Sequence, residues 1–341
     1  VMLRLSFLVC LALVLVLAPT QPALAFGPVG YHLAGSIGGK LGVQMELHIE
    51  GEQVSGYYWY DTIGTPLELA GTFAGGRMQL AERTGDGKAT GSWVGDLNPL
   101  NPTWKGKWTS ADGTKSFTFE LAAVAEIVTT EEMRMGFIKV HVARPVFVGA
   151  GKHRGLQDVQ MIVDNEVWGA AASIWGDPVD PASDDFEFEP DAPWWSWEHF
   201  SEVSVRYYST SLISMMNEVY HFTGGAHGMT TFQTLTFDLD AGRLLTLADL
   251  FAPGVDPLAT IAPLVQASLV AQLGDMADAA WIEQGAGPDS ANYQDWLLTP
   301  EALTFLFEPY QVAAYAAGPQ TVSIPLTEIA GLLAPQFQPV Q

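Results

Sequence analysis

The sequence holds a single cysteine, Cys10, and only 15 lysines and arginines against 38 aspartates and glutamates. The cysteine lies within VMLRLSFLVCLALVLVLAPTQPALA, which has a basic start at Arg4, a Leu/Val-rich centre and an Ala23-Leu24-Ala25 ending. That is the pattern of a secretory signal peptide over residues 1–25, with cleavage expected after Ala25. Pro19, Gln21 and Pro22 interrupt the run before it reaches the roughly 20 apolar residues of a stable span. Cys10 follows Val9, whereas a lipid-modified cysteine would follow a small residue. Without the leader the chain has no cysteine, which excludes disulfides, a thiolate nucleophile and cysteine ligation of zinc. No stable membrane span is expected after cleavage, since no other apolar run is long enough.

Basic residues are scarce as well. The formal charge is −23, and one unit more negative once Arg4 is removed. Such a chain repels nucleic acid and suits a cationic protein, a metal ion or an uncharged glycan. A field of this sign speeds encounter with a basic partner, and it also keeps an exported protein in solution.

Catalytic signatures are missing too. There is no G-x-S-x-G elbow, S-x-x-K, H-E-x-x-H or phosphate-cradling glycine loop, and no spacing marks one pair of carboxylates for acid/base work. FDLDAGRLLTLADLF sets Asp238 and Asp240 two apart, but Gly242 comes fifth rather than sixth and the terminal glutamate of a calcium loop is absent. It reads as two strands joined by the turn Asp240-Ala241-Gly242-Arg243. Neither a cofactor nor a metal site is expected.

What is present falls into two regions. From residue 26 to 124, short strands alternate with glycine-rich turns: in VQMELHIE, Val43, Met45, Leu47 and Ile49 point one way while Gln44, Glu46, His48 and Glu50 point the other. VSGYYWYD, PLELAGTF, GRMQLAE, KATGSWVG, TWKGKWTS and KSFTFEL continue the rhythm, which predicts an all-β antiparallel meander or small closed barrel. Tyr58 and Tyr60 share the parity of Val54, leaving Tyr57 and Trp59 on the other face; Trp104 and Trp108 share one face of their strand. Such aromatic pairs either stack on sugar rings or pack against a neighbouring domain. A barrel of this kind is also a candidate carrier of a small apolar ligand, provided its interior holds a cavity.

From 125 to 341 helical periods appear among the strands. Leu156, Val159, Ile162, Val163 and Val167 form one stripe, and Leu258, Ile261, Leu264, Val265 and Leu269 another. With the strand candidates around them they predict an α+β domain, an antiparallel sheet with helices on one face. Between the first helix and the long strands, DPVDPASDDFEFEPDAPWWSWEHFSE carries nine carboxylates and no lysine or arginine. Trp194, Trp195 and Trp197 beside Asp184, Asp185, Glu187, Glu189 and Asp191 make a candidate anchor for a cationic partner, or a solvated loop whose indoles tuck back.

VYHFTGGAHG sets His221 and His227 around Gly224-Gly225, a pair suited to a tight connection between strands ending near Phe222 and starting near Met229. Two imidazoles under-fill a tetrahedral zinc site, and a histidine beside a turn commonly bonds to backbone. TGGAHG, with Thr223, Gly224, Gly225, His227 and Gly228, is followed by TFDLDAGRLLTLADLF and by YQVAAYAAGP, with Tyr310, Tyr315, Gly318 and Pro319. These pieces resemble an extracytoplasmic domain of unknown function shared by RsiV-type lysozyme-sensing anti-sigma factors and PdaC-type peptidoglycan deacetylases, over about Ile127 to Leu333. The carbohydrate-esterase motifs of the deacetylases are absent, as is a cytoplasmic sigma-binding segment. The resemblance therefore implies a secreted or periplasmic envelope-binding module, with a lysozyme-like cationic protein or cell-wall glycan as partner. The competing expectation is an envelope hydrolase built on His227, Tyr310 and Tyr315, which requires those side chains to converge with a carboxylate.

Overall fold

The computed structural model describes residues 29–62, 65–98, 101–134, 138–173 and 197–339. Eight antiparallel strands open the chain: β1 (Val29–Ile37), β2 (Leu41–Glu50), β3 (Gln53–Tyr60), β4 (Leu67–Ala74), β5 (Arg77–Arg83), β6 (Ala89–Asn98), β7 (Thr103–Ser110) and β8 (Ser116–Arg134). Each pairs with the next, and β1 pairs with β8, so the meander closes on itself. Closure leaves no free edge. The predicted alternation holds: Val43, Met45, Leu47 and Ile49 are buried inside.

The interior is filled by side chains. Tyr58, Trp93 and Trp104 are fully buried among Leu33, Met45, Met78 and Leu121, with Trp93 stacked on Trp104 at 5.7 Å. Trp104 and Trp108 are thus core residues and offer no face to a glycan, and the packed lumen removes the support for a carrier of small apolar ligands. Glu82 is 2% exposed in this core. Its Oε2 accepts the indole N–H groups of Trp93 at 2.9 Å and Trp108 at 2.7 Å, the only way a buried carboxylate and two buried donors avoid being left unpaired.

β8 does not stop at the barrel. Phe119 to Ile127 pair with β1, whereas Ala125 to Arg134 pair with β9 (Ile138–Phe147). A bulge at Val124 shifts the register where His32 gives way to Leu33. The sheet continues through β10 (Trp197–Tyr208), parallel to β9, then antiparallel through β11 (Leu212–Phe222), β12 (Met229–Asp238) and the short β13 (Arg243–Leu244). Helix α1 (Arg154–Ser173) covers one face, burying the predicted Leu156, Val159, Val163 and Val167 against Val140, Val142, Val203 and Met215. The predicted turn is present but begins one residue earlier: residues 239–242 connect β12 to β13, Arg243 already pairs with Asp238, and the Asp238 carboxylate accepts the N–H groups of Asp240 and Ala241.

A third core gathers α2 (Leu258–Leu273), α3 (Ala279–Ala286), a sheet of β14 (Trp296–Leu298), β15 (Ala302–Phe307) and β16 (Gln320–Pro325), and the short α4 (Leu326–Ile329). Within α2, Ile261, Val265 and Leu269 are buried, but Leu264 is 36% exposed; the buried stripe runs through Ala262 and Leu273 instead. The small sheet docks on the large one through polar groups. N–H groups of Trp296 and Leu298 donate to the hydroxyls of Thr234 and Ser214. The Asp295 and Glu308 carboxylates accept the N–H groups of Thr234 and Phe232, covering donors on an edge that would otherwise invite strand addition. No described helix is long and apolar enough to cross a membrane.

The barrel is held to this domain by a buried polar patch. His32 is fully buried with Nε2 3.1 Å from Gln44 Oε1, and the Gln44 amide donates to Asp61 and to the Tyr208 carbonyl. Gln44 has the outward parity read from the sequence, yet it is buried because the end of β10 covers it. Burial raises the Asp61 carboxyl. Burial, aided by the nearby Asp61 charge, raises Glu301 to about 7, and burial with the Glu308 charge raises Asp295 to about 6.

Two measurements test these cores. Glu82→Ala leaves two buried indole donors unpaired and should lower unfolding free energy in urea by about 2–4 kcal/mol, while Glu82→Gln, whose carbonyl still accepts, loses less than half as much. Because Glu301, Asp295 and Asp61 hold protons in the folded state that the unfolded chain releases, stability should fall as pH rises from about 4 to 7. Glu301→Gln should flatten that slope; an unchanged slope would remove Glu301 from the linkage.

Candidate functional site

The β11–β12 connection is the predicted one. Its backbone reverses through Gly224 and Gly225, with φ of 97° and 94°, angles that side chains resist. Thr223 is exposed at its start. Gly228 at its end is buried, and a Cβ there would collide with the Tyr220 phenol. The close approach, not only the turn, requires glycine.

His227 leaves this loop exposed. Its Nδ1 is 2.9 Å from the Gly228 carbonyl oxygen. A carbonyl can only accept, so Nδ1 carries the proton and Nε2 is the free acceptor of the neutral ring. Tyr310 Oη lies 3.3 Å from that Nε2. The imidazole stacks on the Tyr315 ring at 3.7 Å and 18°, and Tyr315 Oη donates to the same Gly228 carbonyl at 2.8 Å. Thus a single carbonyl fixes both rings.

Tyr310 is held from below. It follows β15, is 46% exposed, and has φ of 72°, the only positive value at a non-glycine position among the described residues. Trp281 of α3 donates its indole N–H to the Tyr310 carbonyl at 2.8 Å. The Gln311 amide donates to the carbonyls of Gly285 and Asn292. Tyr315 opens a one-turn 3-10 helix that Gly318 ends at φ of 68°, and Pro319 leads into β16. Gly318 and Pro319 shape this turn.

The structure therefore brings together His227, Gly228, Tyr310 and Tyr315, from segments more than 80 residues apart. It does not bring a carboxylate to them: among the described residues none bonds to His227, and Glu308 is engaged with the Phe232 N–H. No cluster of three or more metal-ligating side chains occurs among the described residues. Trp194, Trp195, Asp184, Asp185, Glu187, Glu189 and Asp191 lie outside the described residues. Trp197 begins β10 and packs, partly buried, against the α1 core; it is not an exposed anchor. Trp281 had no signal in the sequence, since its role is set by a backbone carbonyl 29 residues away.

Two family models match parts of the chain that follow the barrel. That described as "Deacetylase PdaC" covers residues 138–230, ending just past His227, and "Protein of unknown function (DUF3298)" covers residues 248–327, which include Tyr310 and Tyr315. The aromatic site thus joins His227 from the first stretch to Tyr310 and Tyr315 from the second. Immunogenic protein MPT64 of Mycobacterium tuberculosis is 33% identical over 117 residues, 34% of this chain and 50% of that protein. The esterase Rv3036c of the same species is 30% identical over 34% of this chain and 50% of its own length. Peptidoglycan-N-acetylmuramic acid deacetylase PdaC of Bacillus subtilis is 24% identical over 40% of this chain and 29% of its own length. The chain spans about half the length, or less, of these curated relatives. A DUF3298 family protein from Pseudomonas aeruginosa aligns over 64% of this chain and 97% of its own, with TM-score 0.43 and 21% identity.

The fit of Gly228 against Tyr220 is open to test. Gly228→Ala should destabilise the protein by about 1–3 kcal/mol and, by displacing the shared carbonyl, alter the Tyr310 and Tyr315 ring signals in NMR spectra. Intact ring signals in a destabilised variant would separate the packing from the site.

Proposed function

We propose that this chain is an exported, non-catalytic binding protein of the cell envelope, and that it holds peptidoglycan-type glycan on the exposed surface formed by His227, Tyr310 and Tyr315. The observation that carries this is the strained backbone of Tyr310. A left-handed tyrosine costs on the order of 1–3 kcal/mol, and here it presents a half-exposed ring beside an imidazole already stacked and hydrogen-bonded. Strain that keeps an aromatic face exposed is explained by recognition better than by packing. Rings fixed before binding lose little entropy when a sugar face stacks on them, and the exposed Tyr310 hydroxyl, 3.3 Å from His227 Nε2, can also meet its hydroxyls. The name of the Bacillus subtilis relative supports a peptidoglycan ligand.

Two other readings rest on specific features. The net charge of −23 favours a lysozyme-like basic protein, whose binding would weaken steeply between low and physiological salt. The Tyr310–His227 contact, together with the relative named an esterase, favours a hydrolase, although among the described residues no carboxylate is bonded to the imidazole to stabilise its charged form.

Calorimetry with soluble peptidoglycan fragments decides among them. The wild type should bind with little salt dependence, and Tyr310→Gly, which relieves the backbone, should stay within about 1 kcal/mol of wild-type stability yet lose binding at least about tenfold. Undetectable fragment binding, or affinity untouched by Tyr310→Gly, would sink the proposal. Ester hydrolysis that vanishes in His227→Ala would establish the hydrolase instead.

A further inference from the structure

A second aromatic array lies on the face of the large sheet opposite α1. The register places His141 of β9, Phe200 of β10 and Tyr220 of β11 side by side. Their ring centroids are 5.8 Å apart from His141 to Phe200 and 6.0 Å from Phe200 to Tyr220. All three are only partly buried, and a recess of about 600 Å³ opens beside them, lined by Glu131, Met133, Lys139, His141, Phe200 and Glu202. The array is continuous with the His227 site. Tyr220 abuts Gly228, whose carbonyl holds His227 and Tyr315, so the two ring clusters adjoin through the Gly228 backbone.

Charge on this face points to the occupant. Glu202 and Glu218 are directly opposed on β10 and β11, an arrangement that destabilises a sheet when nothing lies between the charges. His141 sits between Glu131 at 3.4 Å and Glu202 at 3.8 Å. Lys139 is already paired with Glu198 at 3.0 Å, and Glu218 has no cation beside it among the described residues. An anionic ligand would worsen the repulsion and a neutral one would leave it. A ligand with ammonium groups along a stackable backbone relieves it, through charge-assisted hydrogen bonds to the carboxylates and attraction to the π faces.

We propose that the His141–Phe200–Tyr220 face is a second binding stretch for a linear glycan carrying free amino groups, extending the His227 platform. The inference rests on the glycan reading given above and narrows it to amino sugars whose nitrogens are not acylated. Phe200 and Tyr220 stack on the sugar faces, and Glu202 and Glu218 receive the ammonium.

The test is calorimetry of the full chain at physiological salt with glucosamine oligomers and N-acetylglucosamine oligomers of equal length. The glucosamine oligomer should bind about tenfold tighter. Phe200→Ala should reduce that binding about tenfold, and Phe200→Tyr should restore it. The double change Glu202→Gln, Glu218→Gln, which keeps the side-chain shape should Phe200→Ala fail to fold, should erase the preference while leaving the acetylated oligomer's affinity unchanged. Equal binding of the two oligomers by wild type, or a preference that survives the double change, overturns this inference and leaves the His227 platform standing. Glucosamine binding that needs Phe200 but is indifferent to Tyr310→Gly keeps this stretch and removes the platform. An oligolysine that binds as tightly as the glucosamine oligomer and ignores Phe200→Ala would assign the effect to bulk charge, or to a basic protein, and overturn it.

Discussion

The bulge at Val124 is the constraint on which the architecture depends. A barrel closes only if its last strand returns to its first, and a sheet extends only if one strand has a free side. β8 meets both demands along its length: its first part lies between β7 and β1, and its second part carries β9. A strand presents alternate residues to opposite faces, so one inserted residue changes which set faces which core. Val124 is that residue, and it is buried in the α1 core while Leu121, three positions earlier, is buried in the barrel. The two hydrophobic clusters share a backbone without a linker, and neither can rotate freely about the other. Bulges characteristically bend a strand and increase its local twist, which here lets the end of β10 reach Gln44.

Docking of the small sheet then determines whether the aromatic site exists at all. His227 belongs to a loop of the large sheet, whereas Tyr310 and Tyr315 follow β15 of the small one. What sets their distance is the seam between the sheets, where Ser214, Thr234, Asp295 and Glu308 exchange hydrogen bonds with backbone N–H groups. A seam of side-chain acceptors on backbone donors is directional, unlike apolar packing. It fixes register as well as contact, as a site assembled from rings 3.7 Å apart requires. Burial that raises Asp295 is the electrostatic consequence of using a carboxylate for this purpose.

Much of the fold was legible because its signals are local. Alternation in VQMELHIE, glycine between strands, and the stripe of Leu156, Val159, Val163 and Val167 each report on neighbours within a few residues, and each predicts the element that forms. Where expectation and structure part, the cause is tertiary. Leu264 has the spacing of a buried position but lies on the margin of the α2 stripe, where no partner covers it. Gln44 has the alternation of an exposed residue but meets Tyr208. The loop motif announced its turn through Gly224 and Gly225, while the reason for Gly228, the ring of Tyr220, follows from pairing across the hairpin. Phe200 and Tyr220 sit in strands whose outward parity is readable, yet nothing in their spacing says that they stand side by side with His141. That depends on the parallel pairing of β9 and β10, across a connection containing a helix, which periodicity does not specify.

The acidity of the chain also gains a more exact meaning from the structure. Carboxylates do three different kinds of work in it. Glu82 is an acceptor inside the barrel, where its value is to satisfy two indoles and its charge is a liability. Asp295 and Glu308 are acceptors at the seam, where they cover an open edge of the sheet. Glu202 and Glu218 cover no edge; they stand opposite one another on the solvent face, where their mutual repulsion works against the sheet and the one basic neighbour among the described residues, His141, lies 3.8 Å from Glu202 alone. A residue kept against the preference of the fold is evidence of a demand from outside it. On the reading proposed above, the sheet face with its rings and opposed carboxylates, more than the total charge, would select the partner.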